Sequence, residues 1–244
     1  TQEPTPSQKP KQDPQPWYAG WADSRLGIPE SWEGEITLGI TDISGTSDKS
    51  SIAWASSATI PWDIYEFKWR TYYNYSESNN TKDVDDYGSS LRFRRKLSNR
   101  NFFQSISKIS VDQIQGVDSQ FDQALGYGYK IFKQEDLEFS VVPGIGYQYV
   151  DQPGTDDGGA ITGNYNQELV WKIMENLEFT HDFNFYLPVD NTNDFNYILK
   201  HGFQTNIGGN YMVKIAHDFD FDNEVESDTE NYTSTFTTSL GFSF

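Results

Sequence analysis

The stretch 65-YEFKWRTYYNY-75 alternates residue by residue. Tyr65, Phe67, Trp69, Tyr73 and Tyr75 share one parity, while Glu66, Lys68, Arg70 and Asn74 share the other. A β-strand sends successive side chains to opposite faces, so this segment has one aromatic wall and one charged wall. The same period recurs on both sides of it. It is clear in 32-WEGEITLGI-40, 87-YGSSLRFRRKL-97, 121-FDQALGYGYKI-131, 137-LEFSVVPGIGYQY-149 and 177-LEFTHDFNFYL-187. It continues in 195-FNYILKHGFQTNI-207, 211-YMVKIAHDFDF-221 and 232-YTSTFTTSLGFSF-244, with weaker copies at 51–60, 102–112 and 163–173. Twelve strands are predicted, and no window of similar length carries a 3.6-residue stripe.

The connections alternate as well. Tight ones at 61–63, 98–101, 133–136, 175–176 and 208–210 alternate with longer acidic ones at 42–50, 76–86, 113–119, 151–162, 188–194 and 222–231. Short turns on one rim and long loops on the other predict an up-and-down transmembrane β-barrel. With an even strand count, both termini are expected on the periplasmic side. A soluble sandwich would turn its apolar faces inward and would use shorter strands. Here Tyr65, Trp69, Tyr73, Tyr75, Tyr147, Tyr149, Trp171, Tyr197, Tyr211 and Tyr232 lie where two interfacial girdles would be. Backbone groups in lipid must all be paired, which demands closure. The chain ends in 240-LGFSF-244, which is similar to the carboxy-terminal assembly signal of bacterial outer-membrane proteins.

Composition sets the outer limits. The 244 residues carry a net charge of −18 and no Cys, yet 16% are aromatic. The aromatic content opposes disorder, and no apolar run reaches the ~20 residues of a membrane helix. The acidity opposes nucleic-acid binding. Without Cys there is no disulfide, thiolate metal site or Cys nucleophile; no metal or other cofactor is expected. Residues 1–31 hold six of the ten prolines and read as a Pro/Gln-rich periplasmic arm ahead of a barrel over 32–244. Within the arm, Trp17, Tyr18 and Trp21 make 17–31 either a lid or plug on the barrel or a partner-docking segment. No signal peptide is visible at Thr1, which for an outer-membrane protein fits a mature form with the signal removed.

The segment 32-WEGEITLGITDISGTSDKSS-51 resembles the opening strand and turn of the YdiY-like, salt-induced outer-membrane proteins (domain of unknown function 481). It departs from that pattern at Gly45-Thr46-Ser47, where Gly-Asn-Thr is typical. The segments 112-DQIQGVDSQFDQALGYGYKIF-132 and 137-LEFSVVPGIGYQY-149 resemble the family's Asp-rich loop and Gly-rich strands. The resemblance implies an outer-membrane barrel of a Gram-negative bacterium and assigns no activity.

Turning the polar parity inward yields a charge map. Lys68, Arg70, Arg92, Arg94 and Lys96 form a basic ladder on two neighbouring strands. Glu178, Asp182, Asp218 and Asp220, extended by Glu33 and Glu35 after closure, form an acidic wall. Fixed charges of this kind tune selectivity in a pore, so a narrow passive channel for ions or small solutes with an acidic outer mouth is the first reading. The alternative is a non-conducting barrel, structural or partner-binding, whose charges pair across the lumen. The loop acids, including Asp156-Asp157 and 222-DNEVESD-228, read as solvated charge or as a divalent-cation bridge to lipopolysaccharide. An enzyme is not expected. His181, His201 and His217 share the apolar parity, no Ser follows any of them at i+2, and the nearest same-face hydroxyl is expected to be Thr205. A lipid hydrolase would need a nucleophile and a base in hydrogen-bond reach. Polar residues in hydrocarbon are costly, so the histidines, with Gln123, Gln167 and Thr205, mark either a tolerated wet patch or a membrane-protein partner face. Outer-membrane lipids and lipopolysaccharide are the expected surroundings, and the arm could reach a periplasmic partner.

Overall fold

Aromatic and β-branched residues at alternate positions favour extended chain, and in the computed structural model each predicted segment is a strand. The structure describes residues 32–43, 49–79, 81–114, 117–151, 158–223 and 231–244. The arm with Trp17, Tyr18 and Trp21 lies outside the described residues, as do Asp156, Asp157 and residues 224–228. The strands are β1 (Glu33–Ile43), β2 (Lys49–Trp62), β3 (Tyr65–Ser78), β4 (Thr81–Lys96), β5 (Asn101–Asp112) and β6 (Val117–Lys133). They continue as β7 (Leu137–Asp151), β8 (Gly158–Met174), β9 (Leu177–Pro188), β10 (Asn196–Gly208), β11 (Tyr211–Asp222) and β12 (Tyr232–Ser243).

Each strand pairs antiparallel with its chain neighbours, and β1 pairs with β12 to close the barrel. Closure satisfies the backbone groups that lipid could not. The seam is short. Glu35, Ile36, Thr37 and Leu38 pair with Ser243, Phe242, Gly241 and Leu240. Gly34 and Phe244 then exchange two backbone hydrogen bonds of 2.9 Å. Gly34 must lack a side chain here, because a Cβ would collide with the Phe244 ring.

One barrel end, the turn rim, carries the tight connections and both the start of β1 and the end of β12; the other is the loop rim. The predicted long connection 76–86 is different in the structure. Strands β3 and β4 run on to Ser78 and from Thr81, leaving only residues 79 and 80 between them. Asn79 makes this turn at φ 49°, a left-handed conformation that Asn tolerates. The ladder continues because its side chains pair locally: Lys82 Nζ donates to Asp85 at 2.9 Å and Tyr75 OH to Glu77 at 2.8 Å. Polar sequence alone could not separate a loop from a hairpin extended beyond the membrane.

The charged parity of the mid-strand segments faces the lumen, while Arg95, paired with Tyr65, lies on the outer parity. Arg92 of β4 reaches Glu168 of β8, which lies four strand spacings, about 19 Å, along the wall. That contact crosses the interior. The other parity presents exposed Trp54, Trp69, Phe203, Phe236 and Leu240 to the surroundings. Trp62, Tyr129, Trp171 and Tyr211 cluster towards the turn rim, and Tyr73, Tyr87, Tyr147 and Tyr232 towards the loop rim, as interfacial girdles require. Among the described residues the most enclosed side chains are largely polar: Arg94, Gln104, Ser140 and Thr162 are as buried as the apolar Phe102, Val142 and Met212.

Candidate functional site

The lumen is drawn together by a four-residue ionic cluster. Arg92 Nη1 donates to both Glu168 oxygens at 2.9 and 3.0 Å, and Arg92 Nη2 donates to Glu66 at 3.1 Å. Arg94 Nη2 donates to Glu168 at 2.5 Å, and its Nε donates to Gln104 at 2.6 Å. Two guanidiniums and two carboxylates balance in charge, and each carboxylate serves both arginines. The strand period explains the arrangement: Arg92 and Arg94 sit at i and i+2 on β4, so both point inward.

Support for Arg94 comes from the adjoining wall. Its guanidinium lies 4.7 Å from the Phe102 ring centroid, a cation–π contact. Phe102 lies flat because its partner on β6 is Gly128, where any Cβ would strike the ring. Gly128→Ala is therefore expected to push Phe102 into the Arg94 position, costing about 1–3 kcal/mol as an overpacked site does. Urea unfolding followed by tryptophan fluorescence would measure the loss.

Space lies on both sides of the cluster. Arg94 and Glu168 are only 8% and 16% accessible, whereas Lys200 and Asp218, also inward-facing, are 50% and 40% accessible. Arg70, one inward position farther from the turn rim than Lys68, is likewise exposed. At the turn rim a cavity of about 320 Å³ is lined by Glu66 of the cluster, by Phe102, and by Lys96, Arg100, Lys130 and Lys133. Accessible inward charges on one side of the enclosed cluster and a cavity on the other thus flank it.

The predicted charge groups all lie on the inward parity, but they are not simply opposed. From the basic ladder, Arg92 and Arg94 meet Glu168 and Glu66, neither of which was among the expected partners. The acidic wall is interrupted by Lys200, which pairs in register with Asp182 and Asp218 and holds Asp218 at 3.2 Å. Glu35 accepts Lys214 across the closure seam at 3.5 Å, and Asp182 takes a hydrogen bond from Asn184. Glu178 and Asp220 occupy inward positions on β9 and β11, and Glu33 begins β1 at the turn rim. Glu168 shares the inward parity of a weakly patterned segment, a signal available but faint.

The residues of the expected partner face separate. His181, His201 and His217 lie in one register row across β9, β10 and β11. Gln123 is on β6, bonded to Ser107 at 2.5 Å and Ser105 at 3.0 Å. Gln167 donates to Tyr165 on β8 at 2.9 Å, and Thr205 lies near the turn end of β10. The nearest same-face hydroxyl to the histidines is not Thr205 but Ser234 of β12, whose Oγ is 2.9 Å from His217 Nε2, because the β11–β12 register brings it alongside. Among the described residues, no group of three or more His, Cys, Asp or Glu is arranged to hold a metal ion.

A closed twelve-stranded barrel with an apolar, aromatic-girdled exterior and a polar lumen is a porin-like outer-membrane β-barrel. A family model described as protein of unknown function, DUF481, matches residues 36–244, and the chain belongs to that family. Solved structures share the architecture. The NanC porin aligns with a TM-score of 0.52 at 11% identity, covering 86% of this chain and 98% of that one. The COG4313 outer membrane channel from Pseudomonas putida F1 aligns at 0.51 and 10% identity, covering 88% and 96%. No curated protein matches.

Proposed function

We propose that this outer-membrane barrel is a narrow passive channel for ions and small solutes, throttled at the Arg92–Arg94–Glu66–Glu168 cluster. The observation that carries the reading is that inward charges and a turn-rim cavity stay accessible on either side of the enclosed cluster. A barrel with only a structural task could fill its interior continuously, as small barrels do. Here Arg70, Lys200 and Asp218 instead keep inward charges accessible. The two neighbours named above as porin and channel support the fold on which this rests. By the rule of short periplasmic turns, the loop rim faces outward and the turn rim, with the start of β1 and the end of β12, faces the periplasm. Loop acids then give the outer mouth a negative potential that favours cations.

A second reading is favoured by the cluster's own completeness. Its four charges neutralise one another, so it could serve as a permanent brace in a closed barrel, with the outer wall or the arm binding a partner. Planar-bilayer recording of the full chain separates the two. The channel reading expects small ohmic steps and a reversal potential displaced to the cation side in a KCl gradient. Well-folded protein that gives no current above background would support the closed barrel.

A further inference from the structure

The outer wall holds a hydroxyl–imidazole–imidazole chain for which neither a lumen nor a lipid seal has a use. Ser234 Oγ lies 2.9 Å from His217 Nε2, and His217 Nδ1 lies 3.3 Å from His201 Nε2. Register produces this geometry. His217 pairs with Phe236 and Phe219 with Ser234, so Ser234 is the diagonal neighbour of His217 on the same face. His217 pairs directly with His201, and their ring centroids are 4.9 Å apart. One proton placement satisfies the whole chain. Ser234 O–H donates to His217 Nε2, His217 Nδ1–H donates to His201 Nε2, and His201 carries its proton on Nδ1.

A nucleophile bonded to a base, with the base oriented by a third group, is the signature of nucleophilic catalysis. Its position suits one substrate class. Ser234 is two residues from Tyr232, where β12 leaves the loop rim, about 7 Å along the strand. Tyr232 stacks on Phe219, which stacks on Tyr197, an aromatic group of the kind that sits at headgroup level. Just inside that level lie the ester carbonyls of membrane lipids. Ser234 and Phe236 are exposed there, with Phe236 stacked on His217 at 4.2 Å between centroids. Polar groups facing hydrocarbon are costly and mark function by default.

We propose that Ser234 and His217 form a lipid acyl-ester hydrolase site on the membrane-facing wall, with His201 as its positioning residue. Ser234 Oγ attacks the ester carbonyl carbon while His217 Nε2 takes the hydroxyl proton. The carbonyl–alkoxy bond then breaks, and His217 returns that proton to the departing lipid oxygen. Water attacks the acyl-serine, giving its proton to His217 Nε2; the acyl–Oγ bond breaks and Ser234 recovers its proton. The net reaction is ester plus water to fatty acid plus lysolipid. His201 fixes the His217 tautomer by accepting Nδ1–H. This activity is independent of whether the lumen conducts.

The test uses the full chain in phosphatidylethanolamine–phosphatidylglycerol vesicles, and separately in vesicles containing lipopolysaccharide. Fluorophosphonate labelling is located by mass spectrometry, and released fatty acid is measured alongside. The expected result is an adduct on Ser234 and acid release, with the productive vesicle type identifying the lipid that supplies the ester. Ser234→Ala should abolish both signals, and His217→Phe should slow labelling by about 100-fold, the usual size of a general-base effect. His201→Phe should slow it about tenfold or more. His201→Gln keeps a carbonyl acceptor for Nδ1–H and should retain most of the rate, a rescue that loss of packing alone would not give. Heat-shifted electrophoretic migration certifies that each variant is folded. No Ser234 adduct on folded protein, or acid release that survives Ser234→Ala, overturns the proposal.

Discussion

Glu168→Ala is expected to destabilise the barrel by about 3 kcal/mol, because removing one partner of an enclosed ionic group leaves the others uncompensated. Arg92 would keep Glu66 at 3.1 Å, but Arg94 would retain only Gln104 and a Glu66 oxygen 4.0 Å away. All of these side chains are less than a third accessible, so solvent screening gives limited relief. The loss should be conditional. In a chain that already carries Arg92→Ala and Arg94→Ala, the same substitution should cost little, since no buried cation then lacks an anion. Urea unfolding of the four proteins closes the cycle. Equal losses in both backgrounds would show that the cluster is not an energetic unit.

Deleting residues 240–244 should have a larger and more nearly all-or-none effect. Those residues supply the β12 partners of Glu35, Ile36, Thr37 and Leu38, and Phe244 completes the seam against Gly34. Without them β1 faces an open edge, and unpaired backbone in hydrocarbon costs several kcal/mol per group. The expected outcome is loss of the compact, heat-shifted form on electrophoresis in lipid or detergent. A truncated chain that migrates and unfolds like the parent would mean that closure does not depend on this seam.

Much of the fold was legible because a barrel obeys two independent periods. Alternation within 65–75 and its counterparts defined the faces, and alternation of short and long connections defined the rims. Strand number and closure followed from counting. Alternation placed the three histidines on one wall, where they share a register row, but it did not supply contacts across the lumen or to distant strands. The stretch 76–86 looked like a loop because its residues are polar, but Lys82–Asp85 pairing carries the ladder through it. Glu168 was missed as the arginines' partner because alternation says which way a side chain points, not which wall it meets. The acidic wall was read without Lys200, an inward residue between two aspartates on neighbouring strands. The contact with Ser234 is not legible in local sequence, because Ser234 lies beyond the long β11–β12 connection from His217. The β11–β12 register places it beside His217.

Conductance before and after removal of the ionic cluster tests the proposed throttle most directly. Single-channel recordings of the full chain and of the Arg92→Ala/Arg94→Ala variant would be compared in the same bilayer and salt, with folding verified for both. Small steps from the parent and severalfold larger steps from the variant are predicted. Equal conductance in the two proteins, or none from either, would contradict the account.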